Sequence, residues 1–156
     1  MNVFILLISF ILTPLKAADS ELLKPFLTDY CTSYPEGTRA QPELWKHCCE
    51  EHDLYFWGGG SLADRKAADL RLRSCVEATG AVTQARLMYT AVSIGGASPI
   101  RFKTKQWGHA FENRARYLSL SEAETTELSR HLELYNSDLD LALRQSFSDQ
   151  LNSRLE

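Results

Sequence analysis

Cys48-Cys49-Glu50-Glu51-His52-Asp53 is the stretch whose reading sets the architecture. It sits inside an apolar stripe of Trp45, Cys48, Cys49, His52 and Phe56 that recurs at helical spacing. Pro42 suits the first position of that helix, with Glu43 at its positive end, and the triplet Gly58, Gly59 and Gly60 stops it after Trp57. Ser61 and Asp64 fit an N-cap and an acidic N3 position, opening a second helix that runs to about Ala78. A three-glycine link is short enough to make the two helices antiparallel neighbours.

The redox compartment decides how the cysteines read. Residues Val3 to Leu15 form an apolar run of 13 residues, short of the ~20 that span a bilayer as a helix. Ala17 and Ala18 follow, so residues 1–18 read as a signal peptide even though Asn2 stands where a basic residue is usual. Such a leader predicts a secreted or periplasmic protein. The mature chain then carries 16 basic and 20 acidic side chains, a charge of −4 that gives no basic footprint for nucleic acid. In an oxidising compartment Cys31, Cys48, Cys49 and Cys75 are expected as disulfides. Adjacent Cys48 and Cys49 cannot readily pair, which leaves either 31–49 with 48–75 or 31–48 with 49–75. Each choice staples a loop to the first helix and that helix to the second.

The rest of the chain reads as one mostly helical domain over residues 19–156. A short helix is expected over Asp19 to Leu27 and a loop from Asp29 to Gln41. A third helix spans Val82 to Ile94, and Ser121 with Glu124 caps another that runs to Tyr135. Leu139, Leu143, Phe147, Leu151 and Leu155 recur every four residues, so a helical extension is expected over about 120–156. A chain of 156 residues that is 44% hydrophobic can build a proper core, so the disulfides reinforce it.

The register of the two cysteines, the histidine and the aspartate resembles the catalytic helix of secreted phospholipase A2, Cys-Cys-x-x-His-Asp. The resemblance covers roughly Cys31 to Cys75. It implies an all-α, phospholipase A2-like, disulfide-stapled antiparallel helix pair with additional C-terminal helices. It also implies a lipid-metabolism hydrolase that cleaves the acyl ester of a glycerophospholipid, with a phospholipid membrane surface as partner. By that resemblance His52 activates water and Asp53 binds Ca²⁺, with Tyr34 and Gly37 as the loop's contributors. The residue chemistry agrees: imidazole takes a proton near neutrality, and a carboxylate holds a hard cation through oxygen.

The family also uses an aspartate on the second helix to orient the histidine, and Asp69 and Asp64 compete for that place. With Cys48 bonded to Cys75, His52 lies about 6 Å along its helix from the staple, Asp69 about 9 Å and Asp64 about 16 Å. Rise favours Asp69. Azimuth favours Asp64, since Asp69 is about 120° from the face of Cys75. Asp64 already has a task in the capping box, and Asp69 is the choice.

The calcium loop departs from the family pattern. Thr32 and Tyr34 stand where glycines let carbonyls turn toward the metal, and the one glycine in the loop is Gly37. The Cys31-to-Cys49 separation is 18 residues, two longer than the pattern, and Glu36 offers a carboxylate. Phe56 replaces the tyrosine expected four residues after the histidine. The family's hairpin between the two helices shrinks to the glycine triplet. These changes open a second reading, a catalytically silent phospholipase A2-like module that binds lipid or protein. A zinc site from His47, Cys48, Cys49 and His52 ranks third, because adjacent cysteines lack the usual ligand spacing. Leu54, Trp57 and the run Arg101 to Trp107 are candidates for lipid contact, against ordinary packing. Packing is the favoured reading for Trp107, and His109 and His131 read as structural.

Overall fold

In a computed structural model, the described residues are 23–95, 106–135 and 139–153. They form five helices: α1 (Lys46–Gly58), α2 (Leu62–Ala78), α3 (Val82–Gly95), α4 (Glu122–Tyr135) and α5 (Leu141–Ser153). Among the described residues there is no strand, only an isolated bridge between Ser61 and Tyr117. No described helix is long and apolar enough to cross a membrane. The leader over 1–18 and the basic stretch 101–105 lie outside the described residues.

α1 is buried on more than one side. Trp45, Cys48 and Cys49 join Leu72, Val76, Ala85 and Met88 of α2 and α3 in one apolar cluster. Leu54, Tyr55, Phe56 and Trp57 join a second cluster with Phe26, Trp107, Phe111, Leu128, Leu132, Phe147 and Leu151. A helix that is apolar around most of its circumference belongs in an interior. This corrects the lipid-contact reading of Leu54 and Trp57, which are both fully buried. Trp107 is buried as well, and its indole N–H donates to the Gly60 carbonyl at 2.8 Å.

The cysteines pair as Cys31–Cys49 and Cys48–Cys75. The second bond joins the start of α1 to the end of α2, so the two helices run antiparallel. α2 begins as expected: the Ser61 hydroxyl accepts from the Asp64 amide while Asp64 Oδ2 accepts from the Ser61 amide. Ser121 and Glu124 make the same reciprocal pair at α4.

Two stretches expected as helical are not helical among the described residues, 19–22 lying outside them. Residues 23–27 are not helical, because the Lys24 amide bonds the Ala110 carbonyl and its carbonyl accepts the Trp57 indole N–H. The first helix begins at Lys46 instead of Pro42, since the Trp45 amide is drawn to the Glu36 carbonyl at 2.9 Å.

The link after α1 serves a close crossing. Gly59 has φ 79°, a left-handed value that favours glycine, and a Cβ there would lie 2.5 Å from Gly108 Cα. The Gly108 amide bonds the Phe56 carbonyl at 2.8 Å, which fixes residues 106–111 over the end of α1. Gly59→Ala is therefore expected to destabilise the protein by about 2 kcal/mol or more, from strain and backbone collision together. Urea unfolding reads this, and an unchanged midpoint would refute the crossing.

Candidate functional site

His52 and Asp69 meet. One turn past Cys48, the imidazole lies between the two clusters, where Phe56 stacks on it at 4.6 Å between ring centroids. His52 Nε2 is 3.0 Å from Asp69 Oδ1, and both residues are buried. A carboxylate only accepts, so Nε2 carries the hydrogen, and in the neutral ring Nδ1 keeps the lone pair. The rise estimate thus picked the partner that the azimuth estimate rejected. Asp64 is held by Ser61 at the other end of the choice.

The second oxygen of Asp69 is also taken. Arg65, one turn earlier on α2, donates from Nη2 to Asp69 Oδ2 at 3.3 Å. The same nitrogen reaches the carbonyls of Val92 at 3.1 Å and Ser93 at 2.9 Å. Those are among the last carbonyls of α3, which lack intrahelical partners. Sequence reasoning missed Arg65. Two of its three acceptors are backbone atoms, which carry no sequence signature.

His52 opens on a cavity of about 560 Å³. Leu27, Phe56, Leu72, Met88, Ala91 and Val92 make its apolar surface. Asp53, Asp29, Thr28, Thr32 and Tyr34 line it with oxygen, and Lys24 and His109 with nitrogen. The Thr28 hydroxyl donates to Asp53 Oδ2 at 2.7 Å and accepts from the Tyr30 amide at 2.8 Å. Asp53 and Tyr34 thus share one cavity. Gly37 does not line it: with Pro35, Glu36 and Pro42 it lines a separate shallow groove. Its missing side chain suits a tight turn, since a Cβ there would collide with the Gln41 carbonyl oxygen. Glu36 lines the groove with it.

The loop reaches unusual backbone without glycine. Thr32 has φ 47° and Tyr30 φ 55°, left-handed values that cost a side-chain-bearing residue of order 1–3 kcal/mol and that cluster at functional sites. Thr32, one of the two positions where the resembled pattern has glycine, thus takes a backbone conformation that glycine adopts without strain. As a donor set, the carboxylates of Asp53 and Asp29 with the hydroxyls beside them suit a hard cation. Thiolate ligands are absent, because all four cysteines are in disulfides. That overturns the zinc reading: His47, Cys48 and Cys75 do converge, but the two sulfurs bond each other and cannot act as thiolates.

His109 is the other residue that only the tertiary structure brings in. Its Nδ1 pairs with the Gln106 carbonyl at 3.0 Å. Burial pushes its imidazole below the ordinary value of 6.5, the Lys24 charge adds to this, and carbonyls of Gln106 and Phe56 oppose it. Burial likewise lowers His131, against the pull of Glu127. For both, the unfolded chain takes up protons first as pH falls past 6.5, so stability present above 6.5 is lost on acidification toward the lowered folded values. Burial alone would raise Glu124, but bonds from Arg114 and Ser121 outweigh it and hold the group below 4.5, so its contribution is lost only in more acidic solution. Denaturation midpoints should fall between about pH 7 and 5, and His109→Gln with His131→Gln should flatten that slope while keeping the loss below pH 4.5. An equal slope in the double variant would contradict the assignment.

Comparisons with family models, with curated proteins and with solved structures found no match to this chain.

Proposed function

We propose that the protein is a secreted phospholipase A2-like hydrolase that cleaves the acyl ester of a glycerophospholipid. The observation that carries this reading is the buried His52–Asp69 pair at 3.0 Å, of which His52 lines an apolar cavity that Asp53 also lines. The two disulfides, which suit an oxidising compartment, support export.

In this mechanism Nδ1 of His52 takes a proton from water as the water oxygen adds to the ester carbonyl. Asp69 holds the ring in the required tautomer and stabilises the imidazolium that forms. The tetrahedral intermediate then expels the glycerol oxygen, which receives the proton from His52, giving a fatty acid and a lysophospholipid. Leu72, Met88 and Val92 accept the acyl chain and exclude water from it. Asp53 and Tyr34 would hold Ca²⁺, with Asp29 on the same wall; the bound ion would polarise the carbonyl and stabilise the oxyanion.

One observation favours the second reading, a silent module that binds lipid or protein. The Thr28 hydroxyl already occupies Asp53 Oδ2, in a loop with no glycine at 32 or 34. The test that separates the readings is fatty-acid release from phospholipid vesicles by the oxidised mature protein, beside calorimetric calcium titration of wild type and Asp53→Asn. The enzyme reading expects release, and calcium binding that the variant loses. Vesicle binding without release would select the silent module.

A further inference from the structure

We propose that Arg65 is the positioning residue of the site: its guanidinium holds Asp69, and through Asp69 the His52 ring, in the orientation that chemistry needs. The inference rests on the hydrolase reading only for its kinetic arm. Its ground is the set of bonds around one nitrogen. Nη2 meets Asp69 Oδ2, the Val92 carbonyl and the Ser93 carbonyl at 3.3, 3.1 and 2.9 Å. Arg65 is itself 5% exposed and Asp69 2%, so the pair is shielded from solvent. A buried carboxylate needs a counter-charge and bonds to each oxygen, or its burial is unfavourable and it turns away.

Here His52 bonds Oδ1 and Arg65 bonds Oδ2, so the carboxylate plane is defined from both sides. Phe56, four residues after His52, has no hydroxyl with which to do this task. Arg65 also ties the dyad to the end of α3, the helix whose Met88, Ala91 and Val92 line the cavity. One side chain thereby links the dyad directly to the apolar wall.

All the bonds leave Nη2, while Arg65 Nε is buried without a hydrogen-bond partner among the described residues. A lysine, with three N–H donors on one nitrogen, can therefore replace much of the set, and methionine cannot. The test is the imidazole Nε2–H signal of His52 by proton NMR, alongside phospholipid hydrolysis, in Arg65→Met and Arg65→Lys. The signal is protected from exchange only while Asp69 stays in line with the ring. Arg65→Met should lose it and lower kcat by about 10²-fold with KM unchanged. Arg65→Lys should keep it at a shifted frequency and recover most of kcat.

A folded Arg65→Met with the wild-type signal would overturn the proposal. If that variant does not fold, Arg65→Lys decides: an unshifted signal overturns the proposal and a shifted, retained one supports it. Loss of the signal in Arg65→Met, in a protein whose wild type hydrolyses no phospholipid, would support the positioning role and reject the hydrolase reading.

Discussion

Replacing His52 with glutamine is expected to lower phospholipid hydrolysis by roughly 10³-fold while the fold persists. Glutamine has a similar reach and can still donate to Asp69 Oδ1, so the buried carboxylate keeps a partner. It has no group that takes a proton near neutrality, so water is no longer activated. Asp69→Asn tests the same step from the other side. Its amide can donate to Nε2, which drives the hydrogen to Nδ1 and removes the lone pair that the mechanism needs. Both variants should keep their unfolding midpoints within a few degrees of wild type. A His52→Gln protein that retains more than about a tenth of the turnover would end this mechanism, since no residual route through His52 would exist.

The second large effect is on stability. Removing the Cys48–Cys75 bond by paired alanine substitution frees a segment with a sequence separation of 27, worth about 3.5 kcal/mol in the chain-entropy account. Removing Cys31–Cys49, with a separation of 18, should cost slightly less, about 3 kcal/mol. The functional consequences should differ more than the energies. Cys48–Cys75 sets how far α1 has slid along α2, and hence whether His52 stands opposite Asp69. Cys31–Cys49 anchors the loop on the Asp53 side. Urea unfolding measures the first quantity, and His52 alkylation by a histidine-directed reagent measures the second. Equal alkylation rates in wild type and both variants would separate the staples from the site.

Where the sequence was readable, a local rule and the tertiary structure agreed. The boxes Ser61/Asp64 and Ser121/Glu124 placed two helix starts, because a capping box satisfies orphan amides with neighbours only three residues away. Asp69 was within reach because rise along a stapled antiparallel pair depends on the residue count alone. Azimuth misled, because it assumes ideal straight helices and ignores the length of the side chains that bridge them. The single stripe through His52 was correct but incomplete. α1 also buries Leu54, Tyr55 and Trp57, and a helix covered on two sides shows no single apolar face. The non-helical residues 23–27 of the helix expected over 19–27 and the late start of α1 share a cause, since backbone amides there bond carbonyls outside any helical register. Arg65 stayed hidden because two of its acceptors are backbone carbonyls that only the assembled fold brings near, and His109 because only the fold places it on the cavity wall.

The second cluster around α1 bears on how short this protein can be made. Tyr55 packs on Phe147 at 5.4 Å and Trp57 on His131 at 5.5 Å, while Leu128, Leu132 and Leu151 complete the same interior. A chain ended near residue 118 would keep both staples and every residue of the dyad. It would also leave the flank of α1 uncovered, a contiguous oily strip of the kind that drives self-association in water. Trimming to the recognisable motif would therefore yield aggregate, and solubility of this protein is a property of its last two helices.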